Sequence, residues 1–235
     1  ATLQAGAAVT AVEYSAKSKC LLVGAENGLV SYWQLTDQEK LWSRSHAVAE
    51  GDVLDFGLSA DGKMAATVTS ANTLAIWLLG DGTTIREFLG AGPTGTVQFV
   101  QGDEYMVAAG SVWWGETGGA CVWNVALGAR EYTIQGPRPW VKIDSAVSAD
   151  GVLIAVTGLS TGKSAQNLSL REVCSGRELA KVQLSGRQMA GREYSGAFAV
   201  RFSRNGKHFA VADMGGDLLV CDIEGIDPSA ARLRQ

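Results

Sequence analysis

The 235-residue sequence predicts an all-β protein made of about five repeated four-stranded units. Apolar residues alternate with a period of two, and Gly-rich polar turns interrupt them about every ten residues, which argues against helical repeats. The pattern returns at steps of 44, 46, 48 and 50 residues, measured at Trp33, Trp77, Trp123, Arg171 and Cys221. Four-stranded units that recur every ~40–50 residues are typical of a β-propeller.

Each unit opens with an apolar-alternating strand that ends in a tight polar turn. The first strands are VTAVEYS, VLDFGLS, GTVQFV, KIDSAVS and FAVRFS, and their turns are SAKSK, SADGK, VQGDE, SADGV and SRNGK. Three turns contain Asp61-Gly62, Asp150-Gly151 and Asn205-Gly206. These pairs predict hairpins in which the glycine takes a positive φ.

The third strands carry the five aligned positions, and a fourth strand follows in the first four units. The last unit has no fourth strand of its own, but ATLQAG at 1–6 resembles YTIQG at 132–136. We therefore expect residues 1–5 to complete the last unit and close a five-bladed ring, because closure removes an unpaired sheet edge. The alternative is that the five units form part of a larger ring.

The repeats predict one β-propeller domain over residues 1–224 and a tail over 225–235. In the tail, Asp227-Pro228 has the pattern of the cap and first position of a short helix. The approximate unit boundaries are 9–44, 51–89, 95–134, 141–184 and 196–223.

Composition and charge restrict the partner classes and the compartment. Hydrophobic residues make up 46% of the chain and charged residues 19%, which indicates a folded protein. The net charge of -4 and the pI of about 5.3 predict no nucleic-acid partner. No apolar run reaches the ~18 residues of a membrane helix, and the first ten residues lack the pattern of a signal peptide. We expect an intracellular protein of the cytoplasm, although a targeting segment removed before residue 1 would leave no trace.

The four cysteines are far apart in sequence and show no CxxC spacing. They are Cys20, Cys121, Cys174 and Cys221. We expect reduced thiols, mostly in strands, because a zinc site needs convergent ligands and only His46 and His208 are available besides them. No metal and no cofactor are predicted.

Two segments, SADGKMAATVTSANTLAIW (59–77) and SRNGKHFAVADMGGDLLVCD (203–222), resemble units of the WD-repeat (β-transducin-like) propeller family. The resemblance covers nearly the whole chain and implies a propeller that holds protein partners. The Trp-Asp pair that commonly ends the third strand in the family is incomplete here: three units keep the Trp, and the last keeps only Asp222 after Cys221. The repeats are therefore degenerate.

The resemblance also implies a buried hydrogen-bond set that links a histidine before the first strand to the third-strand tryptophan. The nearest match to this set is His46, Thr67, Asn72 and Trp77.

The connecting loops differ strongly in length, and this difference predicts the binding surface. In a propeller, turns from strand one to two and from three to four lie at one end of each blade, and here they are short. The remaining connections, at the other end, are long and varied, and they include residues 158–167 and 185–196. We call this end the long-loop face, and we expect function there because loops carry specificity.

The long-loop face combines aromatic and basic residues in units three and four. Trp, Tyr and Arg are enriched at the energetic centres of protein interfaces. The predicted partner-binding residues are Trp113, Trp114, Arg138, Trp140, Lys163, Arg187, Arg192 and Tyr194.

Catalytic motifs are weak throughout the sequence, and no enzymatic activity is predicted. GLSTGKS at 158–164 has one residue too few for a phosphate-binding loop, and an alternating strand pattern follows it instead of a helix. A Ser-His-Asp arrangement would need His46 or His208, and no GxSxG motif is present. Glu116, Asp213 and Asp217 are interpreted as solvated loop acids.

Two functional hypotheses follow. The first is a non-catalytic scaffold that binds a protein or peptide, an acidic one included, within a larger complex. The alternative is a propeller that binds a small ligand or glycan, in which exposed tryptophans would stack on sugar rings.

Overall fold

The structure is a computed structural model. It describes residues 2–46, 51–89, 95–110, 119–135, 140–161, 168–182, 184, 186–189, 192–213 and 215–223. The chain forms two compact units. One contains Ala1–Ala108 and Trp123–Ala129, and the other contains Ala109–Val122 and Arg130–Gln235.

The described residues form twenty strands and one 3-10 turn at Glu26–Gly28. Blade 1 consists of β1 (Val9–Ser15), β2 (Cys20–Ala25), β3 (Leu29–Gln34) and β4 (Glu39–Ser45). Blade 2 consists of β5 (Val53–Leu58), β6 (Met64–Thr69), β7 (Thr73–Leu78) and β8 (Thr84–Leu89). Blade 3 consists of β9 (Thr96–Val100), β10 (Tyr105–Gly110), β11 (Gly119–Asn124) and β12 (Ala129–Gln135).

The second half of the chain contains two further sets of strands. Blade 4 consists of β13 (Trp140–Val147), β14 (Leu153–Thr161), β15 (Leu168–Glu172) and β16 (Glu178–Val182). A short strand, β17 (Gly186–Met189), precedes blade 5, which consists of β18 (Arg192–Phe202), β19 (His208–Asp213) and β20 (Leu218–Asp222). No helix among the described residues is long and apolar enough to cross a membrane.

The sheet topology confirms the predicted β-propeller fold. Blades 1, 2 and 3 are separate four-stranded sheets whose strands pair in sequence order. Blades 4 and 5 share one eight-stranded sheet, because β14 pairs with β18 as well as with β13 and β15. This sharing follows from length: β14 has nine residues and β18 has eleven, so both extend past the body of their blades.

The three predicted glycine turns have the expected geometry. Gly62, Gly151 and Gly206 adopt φ values of 74°, 73° and 69°. In each turn the serine at the end of the first strand accepts a backbone hydrogen bond from the start of the second strand; Ser59 Oγ lies 2.8 Å from the Met64 nitrogen. The repeated sequence therefore encodes a repeated turn.

Each compact unit has its own hydrophobic core between neighbouring blades. In the first, Leu22 and Trp42 of blade 1 pack in one cluster with Phe56 and Trp77 of blade 2. In the second, the core contains Leu168 and Leu170 of blade 4 with Val200, Phe209 and Val211 of blade 5. Sheets buried on both faces explain why the third strands of blades 1 to 3 are almost continuously apolar.

Neighbouring blades are joined by the same kind of hydrogen bond at three consecutive junctions. A side chain from the fourth strand of one blade donates to a backbone carbonyl of the next blade, in the turn between its third and fourth strands. Trp42 donates to the Leu79 oxygen at 2.9 Å, and Arg86 donates to the Leu127 oxygen at 2.8 Å. Tyr132 donates to the Val173 oxygen. We call this contact the junction latch.

A turn glycine lies against each latch side chain. Gly82, Gly128 and Gly176 adopt positive φ, and an added Cβ would meet Trp42, Arg86 and Tyr132 respectively at less than 3.0 Å. The same turn position in blade 1 is Gln38, which also has a positive φ of 56°. The positive φ favours glycine at all three positions, and at Gly82 and Gly176 an aromatic ring packed against the turn excludes a Cβ as well.

Two pairs of neighbouring blades are also joined by an aspartate in the first strand of one blade, which accepts a hydrogen bond from the first strand of the next. Asp55 Oδ2 in β5 accepts a hydrogen bond from the Val97 nitrogen of β9 at 3.0 Å. Asp144 Oδ2 in β13 accepts from the Val200 nitrogen of β18 at 2.9 Å and from Arg201 at 2.7 Å. These bonds hold first strands of successive blades side by side.

The predicted fourth strand of the last blade is not seen. Residues 2–8 form no strand, and within the described part of the chain β20 pairs only with β19. Ring closure through residues 1–5 therefore stays a prediction. The tail at 225–235 lies outside the described residues.

Candidate functional site

The predicted partner-binding residues fall into two groups. Trp113, Trp114, Arg138 and Lys163 lie outside the described residues. Trp140, Arg187, Arg192 and Tyr194 lie in strands whose backbone is described, and we place them by backbone register alone.

Strand pairing brings the second group into one segment of sheet. Trp140 of β13 is opposite Ser160 of β14, which is also opposite Ser195 of β18. In the neighbouring row, Tyr194 pairs with both Thr161 and Arg187, and Arg192 pairs with Met189. We call this segment, formed by β17 and the paired ends of β13, β14 and β18, the long-loop ribbon.

The ribbon corrects part of the loop assignment. Residues 158–167 and 185–196 were predicted to be loops, but 158–161, 186–189 and 192–196 are strands. Gly and Ser are frequent here and have low strand propensity, so local sequence gave a loop pattern. Pairing between two extended segments supplies the backbone hydrogen bonds that propensity does not indicate.

Gly196 is the point at which β18 changes partners. It pairs with Leu159 of β14, whereas the next residue, Ala197, pairs with Asp213 of β19. Gly196 is buried and adopts a φ of 127°, which disfavours any residue with a Cβ. The glycine therefore allows one strand to serve both the ribbon and blade 5.

The described part of GLSTGKS, residues 158–161, belongs to a strand. Gly158 lies within β14 opposite Ile143, and the chain is extended as far as Thr161. Leu168 then begins β15, so the next described element is a strand and not a helix. Residues 162–167, where a phosphate-binding motif would begin its helix, lie outside the described residues.

The blade 2 histidine set forms a continuous buried hydrogen-bond chain. Trp77 Nε1 donates to Thr67 Oγ1 at 2.8 Å, and Thr67 Oγ1 lies 2.7 Å from His46 Nε2. His46 Nδ1 lies 3.0 Å from Glu87 Oε1. The network assigns the tautomer: Nδ1–H donates to the carboxylate, and Nε2 accepts from the threonine hydroxyl.

Three of the four residues implied by the family resemblance thus meet as expected. Glu87 on β8 completes the chain, and the sequence reasoning did not select it. Asn72 lies in the β6–β7 turn with a φ of 58°. Glu87 could be found only through the pairing of β8 with β7, where it is opposite Ala75.

Thr67, His46 and Glu87 in this hydrogen-bond chain are residue types that could act as a nucleophile, a base and an acid. Their environment, however, is that of a protein core. Thr67 is fully buried, and its oxygen already accepts the Trp77 indole proton. A nucleophile must reach its substrate, and this oxygen has no exposed surface. The arrangement therefore serves to fix Trp77 against the next strand. Comparable bonds occur elsewhere, from Trp33 to Ser31 at 3.0 Å and from Arg171 to Ser169 at 2.9 Å.

Acidification is expected to weaken the fold through His46. Burial lowers the pKa of His46 from its ordinary value of 6.5, although the Glu87 carboxylate acts in the opposite direction. The unfolded chain therefore takes up its proton at a higher pH than the folded chain. This contribution to stability is fully present above a pH of about 6.5 and is lost as the pH falls through the lowered pKa.

Urea unfolding between pH 7.5 and pH 5 measures this effect. The free energy of unfolding should fall by up to about 1.4 kcal/mol per pH unit in this window. His46→Gln, which has no titrating ring, should give a flatter profile. An equal slope in both proteins would contradict the assignment.

A second feature is a cleft of about 590 Å³ between blades 1 and 2 at their short-turn end. One wall carries neutral polar groups: Tyr32 donates to Ser18 Oγ at 2.8 Å, and Cys20 donates to Gln34 Oε1 at 2.8 Å. Burial raises the pKa of Tyr32 to about 12, so its phenol remains a donor at neutral pH. Leu78 and Leu79 line the opposite wall. The sequence analysis did not predict this cleft.

The three residues interpreted as solvated loop acids do not share one environment. Asp213 is 5% exposed, and its carboxylate accepts a hydrogen bond from the Asp217 nitrogen at 2.9 Å, so it closes the β19–β20 turn. Its interpretation as a solvated loop acid was wrong, because the turn folds back over it. Asp217 is exposed, Glu116 lies outside the described residues, and His208 lies at the start of β19.

The cysteines are placed largely as predicted. Cys20, Cys121 and Cys221 lie in strands without disulfides, and Cys174 lies in the turn after β15. Within the described ranges, no group of three or more His, Cys, Asp or Glu side chains could hold a metal ion.

Comparison with known structures places this fold among solved β-propellers. The crystal structure of the β-propeller domain of Cps50 (Swd1) from Myceliophteria thermophila matches with a TM-score of 0.66 and 14% sequence identity. The match covers 89% of this chain and 63% of that one, so the chain spans less than two thirds of its neighbour's length. At this identity the likeness shows the fold alone, and 1540 solved chains match this chain, so the fold does not select a function. No family model and no curated protein matches the sequence.

Proposed function

We propose that this chain is a non-catalytic interaction module of the WD-repeat type, which binds a protein or peptide segment on its long-loop face within a larger complex. The observation that carries the proposal is the long-loop ribbon. It places Trp140, Arg187, Arg192 and Tyr194, which the sequence selected independently, in one continuous piece of sheet. A site on paired strands holds its contact residues more rigidly than a site on separate loops.

The absence of a catalytic role is part of the same proposal. Thr67, His46 and Glu87 have the order of a catalytic triad, but their hydrogen bonds are committed to fixing Trp77. The residue types on the long-loop face suit recognition instead, because Arg and aromatic side chains are the commonest hot-spot residues. The basic members favour an acidic segment as the partner.

The test is a triple substitution of the predicted aromatic anchors. Partners are first identified by affinity purification and mass spectrometry with the unmodified chain. Trp113→Ala, Trp114→Ala and Trp140→Ala together should weaken binding of an identified partner at least about 100-fold, since hot-spot truncations cost ~2–4 kcal/mol each.

The matched control is Leu41→Ala with Leu127→Ala, two exposed apolar residues near the short-turn ends of the blades. It should leave the affinity unchanged. Unchanged affinity in the triple variant, with a native circular dichroism spectrum, would move the binding surface away from the long-loop face.

The cleft between blades 1 and 2 favours a second candidate function, the binding of a small ligand. Its volume of about 590 Å³ lies within the usual range for small-molecule sites of ~300–1,000 Å³. A thermal-shift screen of glycans and small metabolites addresses this candidate. A hit that Leu78→Trp abolishes would support it, and a screen without hits would remove it.

A further inference from the structure

The cleft between blades 1 and 2 contains an amide side chain that is fixed in orientation and keeps hydrogen-bonding capacity. Gln34 lines the cleft; its Oε1 accepts a hydrogen bond from the Cys20 thiol at 2.8 Å, and its Nε2 donates to Thr36 Oγ1 at 3.1 Å. These two bonds assign which end of the amide is oxygen and which is nitrogen. An amide oxygen accepts two bonds and its nitrogen donates two, so with these partners in the described part of the chain Gln34 retains one acceptor and one donor side by side.

The other hydrogen-bonding groups of this wall are hydroxyls, and the charges lie at the mouth. Ser18 accepts the Tyr32 hydroxyl proton at 2.8 Å and can still donate its own. Lys63 has a side chain that is 79% exposed, and its Nζ lies 3.6 Å from Asp61 Oδ2. Asp81, which also lines the cleft, is exposed. Because a charge buried without a counter-ion is costly, the part of a ligand inside the cleft should be uncharged.

A β-bulge brings an apolar side chain to the cleft from blade 1. The pairing of β3 with β4 shifts between Tyr32 and Trp33, which leaves Leu41 as an extra residue of β4. Bulges redirect side chains, often beside functional sites. Leu41 lines the cleft from blade 1 and Leu78 lines it from blade 2, and they are 46% and 39% exposed. The cleft therefore offers aliphatic contact from both blades to a flat ring, with the amide of Gln34 for the ring's edge.

We propose that this cleft binds a planar, uncharged heterocycle that carries a hydrogen-bond donor and an acceptor on one edge, as a nucleobase does. The edge pairs with the Gln34 amide in the way that glutamine pairs with the N6 and N7 edge of adenine. The faces of the ring contact Leu41 and Leu78, as is usual in small-molecule sites with mostly apolar walls. This proposal names the ligand class for the second candidate function and rests on it, but it is independent of protein binding at the long-loop face.

The test is isothermal titration calorimetry of the full chain with adenosine and uridine. At least one should bind saturably, and its control without the edge donor, N6,N6-dimethyladenosine or 3-methyluridine, should bind at least about fivefold more weakly. Gln34→Glu replaces the amide donor by an acceptor and should weaken nucleoside binding to a similar extent. Leu127→Ala, at a 69% exposed turn position of blade 3, is the control variant and should bind as the unmodified chain does.

Two further arms identify the source of the base and guard against misfolding. Adenosine monophosphate that binds more tightly than adenosine, with the gain lost in Lys63→Ala, would support a nucleotide as the ligand, and equal affinity would support the base or nucleoside. If Gln34→Glu lacks a native circular dichroism spectrum, Leu78→Trp, which fills the cleft from an exposed position, should abolish nucleoside binding instead.

Three results would overturn the proposal. The first is that neither nucleoside binds, and the second is that the methylated controls bind as tightly as their parents. The third is binding of benzoate or glucose, but of neither nucleoside, that Leu78→Trp abolishes. That result would keep the cleft as a small-ligand site and reject only the ligand class, so the two failures are distinguishable.

Discussion

Replacing Trp42 by alanine is expected to destabilise the chain by about 3–5 kcal/mol, the range for a buried tryptophan. Trp42 is 6% exposed and lies with Tyr32 and Trp77 at ring distances of 5.5 and 6.5 Å. It also donates the latch hydrogen bond to the Leu79 carbonyl. One substitution therefore removes aromatic packing from the core between blades 1 and 2 and leaves a buried carbonyl without its donor.

Two further variants separate these contributions. Trp42→Phe keeps an aromatic ring but loses the indole N–H, and should cost about 1–3 kcal/mol, the usual penalty for an unsatisfied buried polar group. Leu41→Ala, at the neighbouring and 46% exposed position, should cost less than about 1 kcal/mol. Urea unfolding measures all three. A Trp42→Ala loss no larger than that of Leu41→Ala would show that the latch does not hold the blades together.

Substituting Gly82 by alanine is expected to cost about 2–4 kcal/mol of stability. Replacing Gln38, at the same turn position in blade 1, by glycine is expected to cost none. Gly82 has a φ of 72°, which for alanine costs ~1–2 kcal/mol. Its added Cβ would also lie 2.7 Å from the Trp42 ring, which is buried and cannot move freely. Backbone strain and a steric clash therefore add at this position.

Gln38→Gly is the matched control because Gln38 occupies the same turn position in blade 1. Its φ of 56° already strains a residue with a Cβ, so glycine relieves strain and loses only conformational entropy. We expect a change between zero and about 1 kcal/mol of stabilisation, measured by the shift in Tm. A Gly82→Ala protein as stable as Gln38→Gly would contradict the requirement for glycine at the latch.

The latch also explains why the repeats are degenerate in sequence yet regular in structure. Trp42, Arg86 and Tyr132 differ in chemistry, but each presents a donor to a carbonyl of the next turn. Sequence comparison aligns residue types and therefore does not recognise three different donors as one feature. The turn glycines do recur, and they were the signal available in the sequence.

The partner-binding role of the candidate site stays a prediction, and the sequence analysis was incomplete for the elements that carry its described residues. Trp140, Arg187, Arg192 and Tyr194 were selected as loop residues, and the structure places them in paired strands. Glycine and serine hide the strand pattern near residue 160, while a single glycine, Gly196, lets β18 join two sheets. Such pairing depends on which segments meet in space.

The sequence by itself determined the number and order of the repeats, the apolar alternation of the strands and the positive φ of Gly62, Gly151 and Gly206. These features are local, because a turn or a strand face is set by residues a few positions apart. Only the tertiary structure decided that Glu87 completes the hydrogen-bond chain of His46 and that β14 and β18 join blades 4 and 5. Each of these depends on contacts between segments far apart in sequence, where several partners have suitable chemistry and the packing of the blades selects one.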